Sequence, residues 1–220
     1  MLDIENYMDR LINVLKNDFG SRLLYVGLQG SYLRNEADEK SDIDIMVVLE
    51  NLAVADLVSY KTIIEKIGNS EKSCGFMCGK PELNNWNPLE ICQLVNTTKD
   101  FYGRLSEHVP AYTAKDHEKY IKLCLNNLYH EICHRYIHAS KEKNALKLPA
   151  SCKSVFFILQ NIYFQKTGIY FQTRNELLAQ LTDCDKEVLL MASNIKNYPY
   201  DFDKAFKTLF AWCKNAMIEL

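Results

Sequence analysis

Glycine and proline are scarce in this sequence, and no long apolar run occurs in it. Its 220 residues include 8 glycines and 5 prolines, which excludes collagen-like and low-complexity chains. No stretch approaches the roughly 18 consecutive apolar residues of a membrane-spanning helix. The opening segment MLDIENYMDRLINVL lacks the basic and apolar regions of a signal peptide. We therefore expect a soluble, cytoplasmic protein.

The sequence also lacks an excess of charge of either sign. Its 26 lysines and arginines are opposed by 28 aspartates and glutamates, which gives a formal net charge of −2. Without an overall basic field the chain is poorly suited to wrapping duplex nucleic acid. Apolar residues make up 48% of the composition, enough for one large domain or two small ones with a real core.

Eight cysteines are present, but none of them forms a C-x-x-C motif. Cys74 and Cys78 have no second pair of the kind that a zinc site needs. The others are spread through apolar segments. We predict that most are small buried residues of a protein in a reducing compartment.

Apolar periodicity changes character near residue 110. Before it, helix and strand patterns alternate, and Gly20 stands where the C-cap of the first helix belongs. The predicted elements of this part are a helix at 4–15, strands at 22–28 and 42–50, a helix at 53–67, and strands near 75–79 and 90–95.

From Ala114 onward only helical spacing continues. Helices are predicted at 120–139, 151–166, 174–181, 185–195 and 201–220. The basic tract 141–147 is interpreted as a solvated loop, with Pro149 starting the helix that follows it. The sequence therefore predicts an α+β chain in which a small mixed-sheet domain, residues 1–110, precedes an α-helical bundle domain, residues 111–220.

One segment carries a recognisable chemical pattern. Gly30 and Ser31 directly follow a predicted buried strand, and eleven residues after Ser31 a second strand opens with Asp42 and Asp44. Side chains alternate along a strand, so the two aspartates share one face while Ile43 points to the other. Two neighbouring carboxylates repel unless a cation neutralises them, and Mg²⁺ binds one or two carboxylates together with substrate phosphates.

This G-S turn followed by an S-D-x-D strand resembles the signature of the DNA polymerase β-type nucleotidyltransferase superfamily. The length and the helical second half are most similar to bacterial aminoglycoside and lincosamide adenylyltransferases. The stretch WNPLEICQ, residues 86–93, loosely resembles a tryptophan with E-x-Q-like residues in the streptomycin/spectinomycin group.

The resemblance implies Mg²⁺-dependent transfer of a nucleoside monophosphate, AMP from ATP, to a hydroxyl of a small molecule such as an antibiotic. Gly30 and Ser31 would bind the β- and γ-phosphates, and Arg34 could reach a phosphate. Asp42 and Asp44 would hold the metal. The active site is expected in the groove between the two domains.

The pattern also departs from that family. A third carboxylate is expected on a later strand, as a metal ligand or as the base for the acceptor hydroxyl, but the predicted strand CGFMCG has no acid. Glu90 is the preferred candidate because it opens the next predicted strand, and Glu82 is the second. Asn35 stands where relatives often have glycine. An alternative is therefore a catalytically degenerate, antitoxin-like binding protein.

A second motif competes with this interpretation. The segment from His130 to His134 reads H-E-x-x-H on a predicted helix, the signature of zincin metalloproteases, and His138 follows four residues later. A further zinc ligand cannot be identified downstream. A partly buried face of the helical bundle is the plainer interpretation, and zinc hydrolysis is the third hypothesis.

Overall fold

The computed structural model describes residues 2–195 and 199–220. The chain divides into two compact units, residues 1–112 and residues 113–220. The first contains a sheet, and the described elements of the second are all helices, so the predicted α+β class is confirmed. Each unit is described separately below.

A four-stranded mixed sheet forms the centre of the first unit. Its strands are β1 (Leu23–Leu28), β2 (Ile43–Leu49), β3 (Ser73–Gly79) and β4 (Lys99–Tyr102). The strand order is β3-β2-β1-β4, with β1 antiparallel to β2 and β4, and β2 parallel to β3. The chain between β2 and β3 must cross over the sheet, and the predicted helix at 53–67 makes that crossover.

Five α-helices are described in this unit: α1 (Ile4–Phe19), α2 (Gly30–Leu33), α3 (Val54–Ile67), α4 (Lys80–Asn84) and α5 (Pro88–Asn96). Gly20 caps α1 as predicted, and its N–H donates to the carbonyl of Lys16. Apolar residues of α1 and α3 cover one face of the sheet, where alternate β2 residues such as Ile43, Ile45 and Val47 are buried. Each fully buried aliphatic side chain of this kind stabilises the unit by about 1.5–3 kcal/mol.

The opposite face of the sheet carries a smaller core. Tyr25, Met46, Val48 and Cys78 are buried on it, and Leu83 of α4 is part of the same cluster. Asp44 lies on this face, because it alternates with Ile43 and Ile45 along β2. The apolar cluster on this face thus begins at Met46, two residues after Asp44, and does not include the start of β2.

One prediction for residues 84–102 was wrong, and one strand there was not predicted. The expected strand near 90–95 is the helix α5, because Asn87 caps its N-terminus by accepting a hydrogen bond from the Leu89 N–H and Pro88 occupies the first helical position. The last strand of the sheet, β4, lies further along at Lys99–Tyr102, where the sequence analysis predicted no element.

Over the described residues of the second unit, 113–195 and 199–220, the chain forms five α-helices: α6 (Ala114–His138), α7 (Lys141–Thr167), α8 (Arg174–Gln180), α9 (Asp183–Asn194) and α10 (Phe202–Glu219). They bury one continuous core, in which Phe156 and Trp212 are almost fully enclosed. The Trp212 indole N–H donates to Asp185 Oδ1 over 2.7 Å. None of the helices described in either unit has the length and apolar character needed to cross a membrane.

Helix α7 corrects another prediction. It begins at Lys141, so the basic tract 141–147 is helical rather than a loop, and Pro149 lies inside the helix. Proline has no N–H, so the carbonyl of Ala145 loses its usual helical donor. The Tyr200 hydroxyl donates to that carbonyl over 2.6 Å instead, so the helix continues through the proline.

All eight cysteines are free thiols. Four of them, Cys78, Cys92, Cys152 and Cys213, are buried, and burial raises their pKa values. Cys124 and Cys133 are half-buried. Cys74 and Cys184 are exposed and do not fit the expected pattern of small core residues.

Candidate active site

The Gly-Ser turn packs directly against the aspartate strand. Gly30 has a φ of +70°, and a Cβ placed on it would lie 1.9 Å from Oδ2 of Asp44. The preceding residue, Gln29, donates its backbone N–H to the Asp44 carbonyl over 2.8 Å. Only glycine allows both this backbone conformation and this close approach to a carboxylate. The sequence pairs these two motifs, and the structure brings them into contact.

The two aspartates differ in exposure. Asp42 precedes β2 and is exposed, whereas Asp44 is within the strand and half-buried. The approach to them is an ordered turn, in which the Ser41 N–H donates to the Asp38 carbonyl and the Ser41 hydroxyl contacts the Asp38 carboxylate. Backbone donation from Lys40, followed by the Ser41 hydroxyl, holds the pKa of Asp38 below its usual range. Ser41 is therefore a turn residue that sets the start of β2.

The loop between turn and strand contains the other two residues noted in the sequence. Arg34 is already paired, because its Nε lies 3.0 Å from Oε2 of Glu36. Any phosphate bound by Arg34 would have to compete with that carboxylate. Asn35 has a φ of +54°, in the left-handed region that asparagine tolerates better than most residues. This explains how asparagine is accommodated at this position.

Cys74 is the site residue that the sequence analysis missed. The parallel register pairs Asp44 with Cys74 of β3, so their side chains project from the same face. The carboxylates of Asp44 and Asp42 both act electrostatically on this thiol. The Gly75 N–H lowers the pKa of Cys74, but burial and the carboxylates of Asp44 and Asp42 outweigh it, so the net pKa is raised. A neutral thiol therefore lies beside the aspartates, on the strand that lacks an acid.

Of the two candidate third carboxylates, Glu82 lies far from the aspartates. It follows Gly79, which pairs with Leu49 at the opposite end of β2 from Asp44. Five residues of strand separate the Asp44–Cys74 pair from that end, a distance of roughly 16 Å. Glu82 thus lies at the opposite end of β2 from Asp44, too far away to complete a site with Asp42 and Asp44.

Glu90 lies in α5 rather than at the start of a strand. Its Oε2 accepts a hydrogen bond from the Trp86 indole N–H over 2.8 Å. The Trp86 ring stacks on Phe76 with ring centres 5.7 Å apart. Phe76 is two residues beyond Cys74 on the same side of β3. The Trp86 ring therefore links the Glu90 carboxylate to the face of the sheet that carries the aspartates.

Neighbouring polar groups extend this face towards β4. Gln29 Nε2 donates to the Thr98 hydroxyl over 2.7 Å. Further from the aspartates along β1, the Tyr25 hydroxyl donates to Asp100 Oδ1 over 2.7 Å. Burial, and then hydrogen bonding to Asp100, raises the pKa of Tyr25. In the sequence, the only indication that Gln29 belongs to this region is its position immediately before the Gly-Ser pair.

The surroundings of the histidine motif do not support the zincin hypothesis. Glu131, the residue that would serve as the base, pairs with Arg135, whose Nη1 lies 2.8 Å from its Oε1. Arg135 also contacts the Ser151 hydroxyl. Within residues 2–195 and 199–220, no group of three or more histidine, cysteine, aspartate or glutamate side chains could hold a metal ion together.

Comparisons with known proteins match the part of the chain that contains the Gly-Ser turn and strands β1 and β2. The family model described as a nucleotidyltransferase domain matches residues 8–76, from α1 into β3. MJ1305 of Methanocaldococcus jannaschii, provisionally named a protein adenylyltransferase, is 30% identical over 108 residues, which are 46% of this chain and 73% of that protein. The chain belongs to the nucleotidyltransferase family. The predicted enzyme class, nucleotidyltransferase, is confirmed with it.

A solved structure extends the likeness to both units of this nucleotidyltransferase. Spectinomycin adenyltransferase AAD(9) from Enterococcus faecialis, crystallised with ATP and spectinomycin, superimposes with a TM-score of 0.55 at 15% identity. The match covers 96% of this chain and 99% of AAD(9). At that identity the likeness concerns the fold, in which a helical part follows the nucleotidyltransferase domain.

Proposed function

We propose that this nucleotidyltransferase transfers AMP from ATP to a hydroxyl of a small molecule, with Mg²⁺ held by Asp42 and Asp44. The observation that carries the proposal is the contact between the Gly30 turn and the Asp44 carboxylate at the open start of β2. It joins a phosphate-binding type of turn to a cation-binding pair of carboxylates.

The residues present fit a magnesium ion. Asp42, just before β2, is exposed, and Asp44, within β2, is half-buried. Strand alternation would direct both side chains to one side, and Mg²⁺ commonly takes one or two carboxylates and completes its shell with water and substrate phosphates. A site of two carboxylates without a third protein ligand matches that preference. When bound, the cation supplies neutralisation of the negative charge on the triphosphate and the leaving pyrophosphate.

The chain's own residues would divide the remaining work. Gly30 and Ser31 would hold the terminal phosphates through backbone N–H groups and the Ser31 hydroxyl. Arg34 would add a charged contact if the triphosphate displaces Glu36. Glu90 would accept the proton of the acceptor hydroxyl, its carboxylate oriented by the Trp86 indole N–H.

The choice of ATP and of a small acceptor is supported by the whole-chain likeness to AAD(9), whose structure holds ATP and spectinomycin. A protein hydroxyl is a second candidate acceptor, favoured by the 30% identity to MJ1305. Both acceptors would use the same turn and carboxylates, so nucleotide binding is tested first.

The first experiment is calorimetric titration with a non-hydrolysable ATP analogue, with and without Mg²⁺. We expect Mg²⁺-dependent binding in the wild type and its loss in Asp42→Asn/Asp44→Asn. Asp9→Asn is the matched control, because it makes the same change at an exposed position of α1. Binding that survives in the double variant, or that ignores Mg²⁺, would contradict the proposed site.

The second experiment identifies the acceptor. Pyrophosphate release is measured with ATP, Mg²⁺ and aminocyclitol and aminoglycoside antibiotics, each checked by mass spectrometry for an added AMP. Turnover with a small hydroxyl compound supports the proposal. A mass increase of AMP on a protein, with no small molecule labelled, would support the second candidate instead.

A further inference from the structure

Three histidines form a stripe along one exposed side of α6. His130, His134 and His138 follow one another at four-residue spacing, so one helical turn separates each from the next. All three side chains are exposed. The ring centres of His130 and His134 are 5.8 Å apart, and those of His134 and His138 are 4.7 Å apart. We call these three residues the histidine stripe.

The distances within the stripe suit chelation of one cation by two imidazoles. A transition metal binds imidazole nitrogen at about 2.0–2.1 Å, and for ordinary bond angles two such rings have centres roughly 4.5–5.5 Å apart. The pair His134–His138 already lies in that range. The pair His130–His134 is slightly too wide and would need a small side-chain rotation.

The electrostatic surroundings favour a cation there. His138 is the last residue of α6, a helix of 25 residues, and the C-terminal carbonyls of a helix carry partial negative charge. Two basic side chains that are close to the stripe in sequence, Arg135 and Lys141, are already paired. Arg135 Nη1 lies 2.8 Å from Glu131 Oε1, and Lys141 Nζ lies 2.6 Å from Asp203 Oδ2.

We propose that the histidine stripe is a surface site for one divalent transition cation of the Ni²⁺, Cu²⁺ or Zn²⁺ class, bound first by His134 and His138. Imidazole prefers these metals to Mg²⁺, so the site is distinct from the carboxylates at the start of β2. Two imidazoles leave several coordination positions open to water or to another ligand. The site is not hydrolytic, because Glu131 is bound to Arg135 rather than available as a base.

The test is titration of the full chain with Ni²⁺, in excess Mg²⁺ and with exposed thiols alkylated so that carboxylates and cysteines do not compete. We expect one bound Ni²⁺, with Co²⁺ weaker and Cu²⁺ tighter, as nitrogen ligands order these metals. His134→Ala belongs to both pairs and should weaken binding by about tenfold or more, because chelation becomes single-ligand binding. His138→Ala should weaken it more than His130→Ala. Asn126→Ala, at an exposed position of the same helix, should have no effect.

A double variant decides between chelation and independent weak binding. His130→Ala/His138→Ala keeps His134 but has no pair, so its affinity should match that of His134→Ala. In wild type, Ni²⁺ should also raise the melting temperature, and this rise should vanish in His134→Ala. Wild-type affinity in His134→Ala, or equal and additive losses from the three single variants, would overturn the proposal.

Discussion

Replacing Gly30 by alanine tests the contact between turn and carboxylate most directly. The new Cβ would lie 1.9 Å from Oδ2 and 2.8 Å from Cγ of Asp44, far inside any normal contact, so the carboxylate or the turn must move by about 1 Å. The φ of +70° adds about 1–2 kcal/mol of backbone strain for a residue with a Cβ. A displacement of about 1 Å at a reacting centre can cost about a hundredfold in rate.

Two other glycines separate strain from displacement. Gly20 at φ +56° and Gly168 at φ +73° have nothing within 4 Å of an added Cβ. Alanine at Gly168, whose ψ of 4° lies in the left-handed region, should destabilise its unit by a similar amount, about 1–2 kcal/mol. Gly20 has a ψ of −131°, outside that region, so alanine there should cost about 1–3 kcal/mol. Both variants should leave the nucleotide site intact. Denaturant unfolding measures the stability of all three variants, and calorimetry measures Mg²⁺-dependent binding of the ATP analogue. Only Gly30→Ala should lose that binding.

Two results would refute this reasoning. Wild-type nucleotide affinity in Gly30→Ala would mean that the turn and Asp44 do not act together. Loss of nucleotide binding in Gly20→Ala, with the protein still folded, would mean that affinity follows general stability rather than the geometry at Asp44.

Three other changes have defined outcomes. Glu90→Gln should lower turnover by about 10²–10⁴-fold while leaving nucleotide affinity unchanged, and unchanged turnover would remove Glu90 as the base. Tyr200→Phe leaves the buried carbonyl of Ala145 without its donor, so thermal unfolding should show a loss of about 1–3 kcal/mol. Hydrogen bonds from Arg22, then from a backbone N–H, hold the pKa of Asp56 below its usual range. This pair therefore stabilises the fold above about pH 4 and the gain is lost as pH falls further. Asp56→Asn should reduce the fall in the free energy of unfolding below about pH 4. An unchanged fall would mean that the Arg22–Asp56 pair does not contribute to it.

The elements that hold the turn and the aspartates could be predicted from sequence because their signals are local and consistent. The amphipathic spacing that starts at Ile4 and ends before Gly20 predicts α1. The apolar runs before Gly30 and after Asp44 predict β1 and β2, and all three elements are present in the structure. Strand alternation then predicts that Asp42 and Asp44 share one face. What periodicity cannot supply is which strands pair, so the contact between Cys74 and Asp44 became visible only through the register of β2 and β3.

The sequence is misleading where two local signals conflict, as they do at α5 and at Pro149. The run LEICQLV has enough β-branched and apolar residues for a strand, but the Asn87-Pro88 start makes it a helix, and Glu90 moves with it. Pro149 is expected at a helix start, because the most common helical position of proline is at that end. A hydroxyl from Tyr200, 51 residues later in the chain, makes the interior position tolerable, and no local pattern contains that information.

The two tryptophans are divided between the units, one in each. Trp86 is half-buried against Phe76, whereas Trp212 is enclosed in the helical core and bonded to Asp185. Each unit thus carries its own optical probe, and Trp86→Phe or Trp212→Phe would leave a single emitter that follows one unit alone. If the two single-tryptophan proteins unfold at different denaturant concentrations, the chain is not a two-state system, and one free energy of unfolding cannot describe it.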